Sequence, residues 1–258
     1  MTRTVRVLVA LTLAGACLFA ATLAWATQSA AIHANFTPNR LGAATNLSAT
    51  AIFTSNTGTL PPPITRLTAY VPAGMRIDTR GASTCAAQEL QQKGTNGCPV
   101  ASRAGFGGGV ALLQLGSEII HEQFTIDIFL APSQDGHLTF LAYLTATDPA
   151  SIELVLTAKE IPAPKPYGFG FSVEVPPIPT IPGASDASIE SAFFTFGATN
   201  VAYYETVRGK RKLVHIKGLI EPKSCPRGGF PLKTTVDFAD SSTTTAATTI
   251  PCPGNQSR

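Results

Sequence analysis

From residue 32 onward the chain carries apolar runs of strand length, most of them alternating with polar residues and all separated by turn formers. Residues 32–36, 47–53, 64–71, 110–115, 124–130 and 138–146 read this way, followed by 152–157, 189–196, 201–207, 213–220 and 234–238. A period of two puts successive side chains on opposite faces of an extended backbone, so each run predicts a strand with one buried face. The breaks between runs are Thr37-Pro38-Asn39-Arg40-Leu41-Gly42, the stiff Pro61-Pro62-Pro63, Pro72-Ala73-Gly74, Asp135-Gly136 and the tip Arg208-Gly209. Residues 167–175 also alternate, but inside the proline-dense stretch 161–182. Proline cannot donate to a ladder, so this stretch predicts an edge strand or a covering loop. Ten or more such strands predict an all-β fold, an antiparallel β-sandwich, either one large sandwich or two packed sub-sandwiches with a sub-boundary near 176–183.

One segment breaks the pattern. Residues 86–93 are good helix formers with no β-branched member, with Ser83 or Thr84 available as N-cap and Gly94 able to turn left-handed at the far end. Eight residues are too short for a free helix. A Cys85–Cys98 bond would hold it, contributing about 2–4 kcal/mol. A redox or metal role for the pair is the weaker reading, because no Cys-x-x-Cys spacing and no nearby histidine accompany it.

The N-terminus predicts the compartment. Arg3 and Arg6 precede the apolar run 7–24, which closes on Ala24-Trp25-Ala26, the pattern of a secretory signal over residues 1–26 cleaved after Ala26. The apolar run is slightly long, so an uncleaved anchor is the alternative. Leu13 stands four residues before Cys17 rather than three, which argues against a lipid anchor on that cysteine. Loss of Cys17 with the leader leaves Cys85, Cys98, Cys225 and Cys252, an even set suited to an oxidising compartment. Three pairings are possible, and the local ones, Cys85–Cys98 and Cys225–Cys252, fit the supersecondary units best. The threonine-rich 243–250 then reads as the second arm of a hairpin pinned back to Cys225; a disordered glycosylated stalk is its alternative.

The charge pattern excludes whole classes of partner. The net charge of +3 falls to +1 once Arg3 and Arg6 leave with the leader, so no electrostatic footprint for nucleic acid or an anionic membrane is predicted. After the leader no apolar run approaches membrane-spanning length.

At the cysteines a resemblance emerges. The run Thr84-Cys85, then Gly97-Cys98-Pro99-Val100-Ala101-Ser102-Arg103-Ala104-Gly105-Phe106-Gly107, together with the later Lys223-Ser224-Cys225-Pro226-Arg227-Gly228-Gly229-Phe230-Pro231 and closing Pro251-Cys252, resembles an uncharacterised family of secreted, β-rich actinobacterial proteins. The similarity spans most of the chain after the leader. It implies an exported β-rich domain and supplies no catalytic residue.

Candidate chemistry is sparse. His121-Glu122-Gln123-Phe124-Thr125 lacks the second histidine of a zinc-protease helix and sits in a strand pattern. His33, His137 and His215 are scattered, and no Gly-x-Ser-x-Gly elbow is present. Residues 105–109, Gly-Phe-Gly-Gly-Gly, lack the lysine of a phosphate loop and instead suit a bulge or a close backbone approach. Glu118, Glu122, Asp127, Glu153 and Glu174 read as exposed acids, and neither a metal nor a cofactor site is predicted. Two sets could mark a binding surface. Arg208, Lys210, Arg211 and Lys212 form a basic hairpin tip that could touch an anionic wall polymer or lipid headgroup. Tyr167, Phe169 and Phe171 share one face of their strand and either enter the core or line a groove.

The reading favoured by the sequence is a non-enzymatic, secreted or cell-surface β-sandwich with a structural, adhesive or ligand-presenting role, partnered by a cell-wall polymer or another envelope protein. A binding protein for an apolar or glycan ligand is the second reading, to be favoured if the interior holds a large apolar pocket. A hydrolase is the third, requiring His121 or His137 in a cleft with acidic or hydroxyl partners.

Overall fold

A computed structural model describes residues 28–254 apart from residues 57, 150, 179, 199 and 200. The expected leader, with its cleavage site and Cys17, lies outside the described residues. The described chain is all-β and antiparallel, with one α-helix among the described residues, disulfide-clipped as the pattern predicts. Its elements are β1 (Gln28–Thr37), β2 (Asn46–Ser55), β3 (Ile64–Pro72), β4 (Arg76–Asp78), α1 (Ala87–Lys93), β5 (Arg103–Leu115), β6 (Glu118–Leu130), β7 (Thr139–Ala146) and β8 (Ile152–Pro162). They continue with β9 (Tyr167–Glu174), β10 (Ser188–Phe196), β11 (Ala202–Val207), β12 (Lys210–His215), β13 (Gly218–Ile220), β14 (Phe230–Phe238) and β15 (Thr243–Ile250).

Eleven strands form one sheet in the order β1-β2-β10-β5-β6-β7-β8-β9-β3-β14-β15. Every ladder in it is antiparallel, so the alternating directions leave β1 and β15 running the same way. The sheet curls until these two lie side by side: Ile32 and Phe36 of β1 share a core with Ala246 and Ile250 of β15, though no ladder joins them. The result is a sandwich almost closed into a barrel around one apolar interior. β14 and β15 show the logic best: Phe230, Leu232, Thr234, Val236 and Phe238 are buried, as are Thr244, Ala246 and Ile250, while the residues between them are less buried or exposed. The threonine tract is therefore a strand with a wet, polar face. On these two strands the apolar residues point inward, with Thr234 and Thr244 among them, and the remaining threonines face outward, the reverse of a lipid-facing barrel.

The glycine run of β5 makes the curvature possible. A Cβ on Gly105, Gly107 or Gly109 would collide with the carbonyl oxygens of Thr195, Phe193 and Ser191 on β10. Bulges interrupt β5 at Arg103/Gly105 and β10 at Ile189/Ser191. Bare backbone and bulges together let two strands cross closely and coil, the device by which sheets close.

Three features differ from the sequence expectation. Tyr167–Glu174 is no edge strand: β9 pairs with both β8 and β3, because its prolines flank the strand and none falls within it. The helix is capped by neither Ser83 nor Thr84; its N-cap is Ala86, with no side-chain hydrogen bond. What fixes it is burial of Leu90 beside Cys85, Phe129, Leu141 and Tyr143, an amide bond from Cys85 to the Leu130 carbonyl at 2.8 Å, and the Glu89–Lys93 ion pair at 2.6 Å. Glu122, read as an exposed acid, is buried, because its strand position is one residue out of step with the exposed His121.

The disulfides are Cys85–Cys98 and Cys225–Cys252. The first encloses α1; the second ties together the two ends of the β14–β15 hairpin. Between β10 and β14 the chain leaves the large sheet. It forms the two-stranded hairpin β11–β12 and the short β13, which pairs with β4 across one end of the barrel.

The glycine crossing gives a stability prediction. Gly109→Ala should cost about 3 kcal/mol in urea unfolding, because β10 must be pushed away. Gly116→Ala, in open space with only a positive φ to strain it, should cost about 1 kcal/mol. Equal losses at the two sites would show that the β5–β10 approach carries no special constraint.

Candidate functional site

The interior is not filled. Inward faces of eight strands enclose a cavity of about 180 Å³, closed on one side by Leu219 of β13. Leu67, Ala69 and Val71 of β3 face Phe169, Phe171 and Val173 of β9 across their ladder, and Ile128, Ala142 and Ala158 continue the wall through β6, β7 and β8. Among the lining residues only Thr234 has a polar side chain. Several of these inward side chains, Leu67, Ile128, Phe171 and Phe194 among them, remain half-buried although they face the core, which is what an unfilled interior produces. Small residues at Ala69, Ala142 and Ala158 leave the space that larger side chains would occupy.

Four phenylalanines form its stiffest wall. Phe140 meets Phe171 at 5.4 Å and Phe196 at 5.0 Å, both edge-to-face, and Phe169 meets Phe171 at 5.7 Å. Such contacts fix ring orientation beyond what burial alone does. Phe140, Phe196 and Leu219 also border a crevice of about 20 Å³ that reaches Ala82 and Ile216 under the β4–β13 cap. These three side chains line both the cavity and the crevice.

The cap is stitched to the β1–β2 loop by backbone bonds. Thr45 donates to the Leu219 carbonyl and Glu221 to that of Ala43, each at 2.9 Å. The Glu221 side chain is fully buried; Oε2 accepts the Arg40 amide at 2.6 Å, while Oε1 has no hydrogen-bond partner. Burial pushes this carboxyl above the usual glutamate range, against the smaller opposing pull of the Arg40 amide. Outside the cap lies a polar recess of about 460 Å³ lined by Arg76, Asp78, Arg80 and Lys217. Arg80 clasps Asp78 at 2.6 Å and holds its pKa at about 2.

The two residue sets singled out in the sequence lie apart. Phe169 and Phe171 enter the cavity wall. Tyr167 does not: a register shift between Val71 and Pro72 turns it to the outer face, where it packs on Tyr70 at 5.7 Å. A bulge beside Gly168 thus breaks the common face that simple alternation implied. Arg208, Lys210, Arg211 and Lys212 are all exposed on the β11–β12 hairpin. The histidines stand on separate elements: His33 on β1, His121 near the start of β6, His137 in the turn at its far end, and His215 on β12. His121 Nδ1 is 3.7 Å from Glu190 Oε2, an exposed pair on the outer wall rather than in a cleft. Among the described residues no group of three or more histidine, cysteine, aspartate or glutamate side chains is placed to hold a metal ion.

No family model matches the chain, and neither the curated proteins nor the solved structures contain a significant match.

The buried carboxyl makes the cap sensitive to pH. Because its pKa is higher folded than unfolded, the folded state holds the extra proton between those two values. Stability should therefore fall as pH rises from the ordinary glutamate range through the raised value, and the loss is complete above it. Urea titrations across weakly acidic pH should show this slope in the wild type and a flatter profile in Glu221→Gln. Identical profiles would remove Glu221 from the account.

Proposed function

We propose that the protein is an exported binding protein that holds an apolar ligand inside its barrel. The observation that carries this reading is the cavity: about 180 Å³ of space walled by aliphatic and aromatic side chains, with Thr234 alone offering a polar group. A dry apolar cavity of roughly 150 Å³ already takes up benzene-sized guests. The present space suits a small terpenoid or aromatic group, or the end of an acyl chain whose remainder extends outside. Burial of apolar area supplies the affinity, and the edge-to-face phenylalanines supply shape. The reading also explains why inward positions on β3, β7 and β8 carry alanine where a filled core would carry leucine or phenylalanine.

An extracytoplasmic setting supports it. The two disulfides belong to an oxidising compartment, and the leader with cleavage after Ala26 would deliver the chain there. Outside the cytoplasm, apolar metabolites and envelope lipids need a carrier to cross water. The structural or adhesive role favoured by the sequence does not call for an empty interior.

The test is occupancy. Native mass spectrometry of the protein from its own host, and displacement of a fluorescent polyene fatty acid from the refolded chain, should both report a bound apolar molecule. Ala142→Phe places a ring in the cavity and should weaken polyene binding at least tenfold while the unfolding midpoint stays within a few degrees of wild type. Retention of full affinity in a folded Ala142→Phe variant would refute the assignment.

A further inference from the structure

The near-zero net charge conceals a strong separation along the barrel. Strand directions assign most charged residues to one end or the other. At the end bearing the β5–β6, β7–β8 and β14–β15 turns, Arg66 is the single cation among the described residues, and it is held by Glu174 at 2.6 Å and Asp237 at 3.7 Å. That end also carries Glu118, Asp148, Glu153, Asp186, Glu190 and Asp240. Apart from Lys93 on α1, the other described lysines and arginines lie toward the opposite end, which bears the β4–β13 cap and the β11–β12 hairpin, and there they outnumber Asp78, Asp135, Glu160, Glu205 and Glu221. The molecule is electrically bipolar.

The hairpin is the extreme point of the basic end. Its base is anchored, since Tyr203 donates to the Gly81 carbonyl at 2.5 Å and Val214, its cross-strand partner, packs on the same glycine. Beyond that point both faces are in water. Tyr204 is 61%, Leu213 44% and Val207 42% exposed, though a two-stranded ribbon gains nothing by wetting them. Tyr204 and Leu213 are cross-strand partners, and the Arg211 guanidinium lies 4.4 Å over the Tyr204 ring. Val207 and Lys210 face one another beside the Arg208-Gly209 turn. Within the hairpin Glu205 alone opposes the four cations.

We propose that the β11–β12 hairpin docks the protein on an anionic lipid bilayer, with the basic end of the barrel facing the membrane. Charge complementarity selects an anionic surface, and the acidic opposite end fixes the orientation. The exposed apolar side chains decide between kinds of anionic surface. A hydrated polyanion would engage the cations and leave Tyr204, Val207 and Leu213 in water, whereas the headgroup boundary accepts ring, aliphatic chain and cation together. The lysine and arginine stems would lie along the surface with their charges among the phosphates. This inference stands on the hairpin and on the charge distribution, and it does not require that the cavity be occupied.

Sedimentation with phosphatidylglycerol-containing vesicles tests it, using phosphatidylcholine vesicles and soluble dextran sulfate as the other two arms. Wild type should partition onto the anionic vesicles at about 0.1 M salt and come off as salt approaches about 1 M. Each cation removed, as in Arg208→Gln or Lys212→Gln, should weaken partitioning about fivefold. Val207→Ser with Leu213→Ser should weaken it at least tenfold and leave dextran sulfate binding unchanged. The chain's only tryptophan, Trp25, lies in the expected leader, so the chain from Thr27 onward carries none and accepts site-specific tryptophan probes. Emission from Leu213→Trp should shift to the blue and be quenched by brominated lipid. Emission from Ile119→Trp, at the acidic end, should not. Unchanged vesicle binding in the serine variant, quenching at Ile119 equal to that at Leu213, or loss of self-association rather than of vesicle binding in the charge variants would each overturn the proposal. Far-ultraviolet circular dichroism and retained disulfides confirm that each variant is folded before it is scored.

Discussion

The contact between β1 and β15 is the constraint on which the architecture rests. An antiparallel sheet with an odd number of strands brings its first and last strands together pointing the same way, so the antiparallel ladder cannot simply continue around the ring. No parallel ladder joins them either, and closure comes from side chains. Ile32 and Phe36 on one strand meet Ala246 and Ile250 on the other within the largest apolar cluster, which also takes in Phe230, Leu232 and Leu219. Hydrophobic burial is non-directional and tolerates the mismatch that hydrogen bonds would not. A sheet held shut this way keeps its curvature only if some strands cross tightly elsewhere, and the glycine face of β5 against β10 provides that crossing.

The same curvature creates the cavity. A sandwich whose halves met squarely would interdigitate and fill its centre. Coiling at β5–β10 and the small residues Ala69, Ala142 and Ala158 hold the walls apart, while the phenylalanine cluster prevents collapse. The cap is where the fold yields most readily. It consists of two three-residue strands, a loop held by a few backbone bonds, and a buried carboxyl with one oxygen unsatisfied. An unpartnered buried carboxylate oxygen opposes the closed arrangement, and uptake of a proton relieves it.

Much of this was legible in the residues. Alternation located the large sheet because a strand with one wet face writes its burial directly into every second position. The cysteines located α1 and the β14–β15 hairpin because short enclosed segments leave few competing pairings. Other features were silent for physical reasons. Pro162 and Pro176 near Tyr167–Glu174 signalled an edge, yet a central strand needs only that its own interior lack proline, and this one does. Tyr167 was placed with Phe169 and Phe171 because a bulge at Gly168 leaves no mark in the apolar pattern. The cavity itself is a deficit of volume summed over eight strands. Alternation reports which side of a strand is dry, and it is blind to whether the dry side is full. Glu122 shows a related blindness, since a carboxylate inside a strand reads as exposed unless the phase of its neighbours is counted from His121 onward.

Net charge misleads for a comparable reason. A value near zero excludes partners only if the charges are mixed, and in an antiparallel barrel the two ends of the molecule are far apart in space but adjacent in sequence at every strand. Residues near one set of strand ends can therefore drift acidic and those near the other basic without altering the total. The cap, its crevice and the hairpin all belong to the basic end, where Tyr203 of the hairpin and Ile77 of the cap border the same loop around Gly81 and Ala82. The crevice that shares Phe140, Phe196 and Leu219 with the cavity thus lies at the basic end. On the proposed docking, this crevice would face the bilayer, and attraction of the basic end with repulsion of the acidic one would turn the molecule that way.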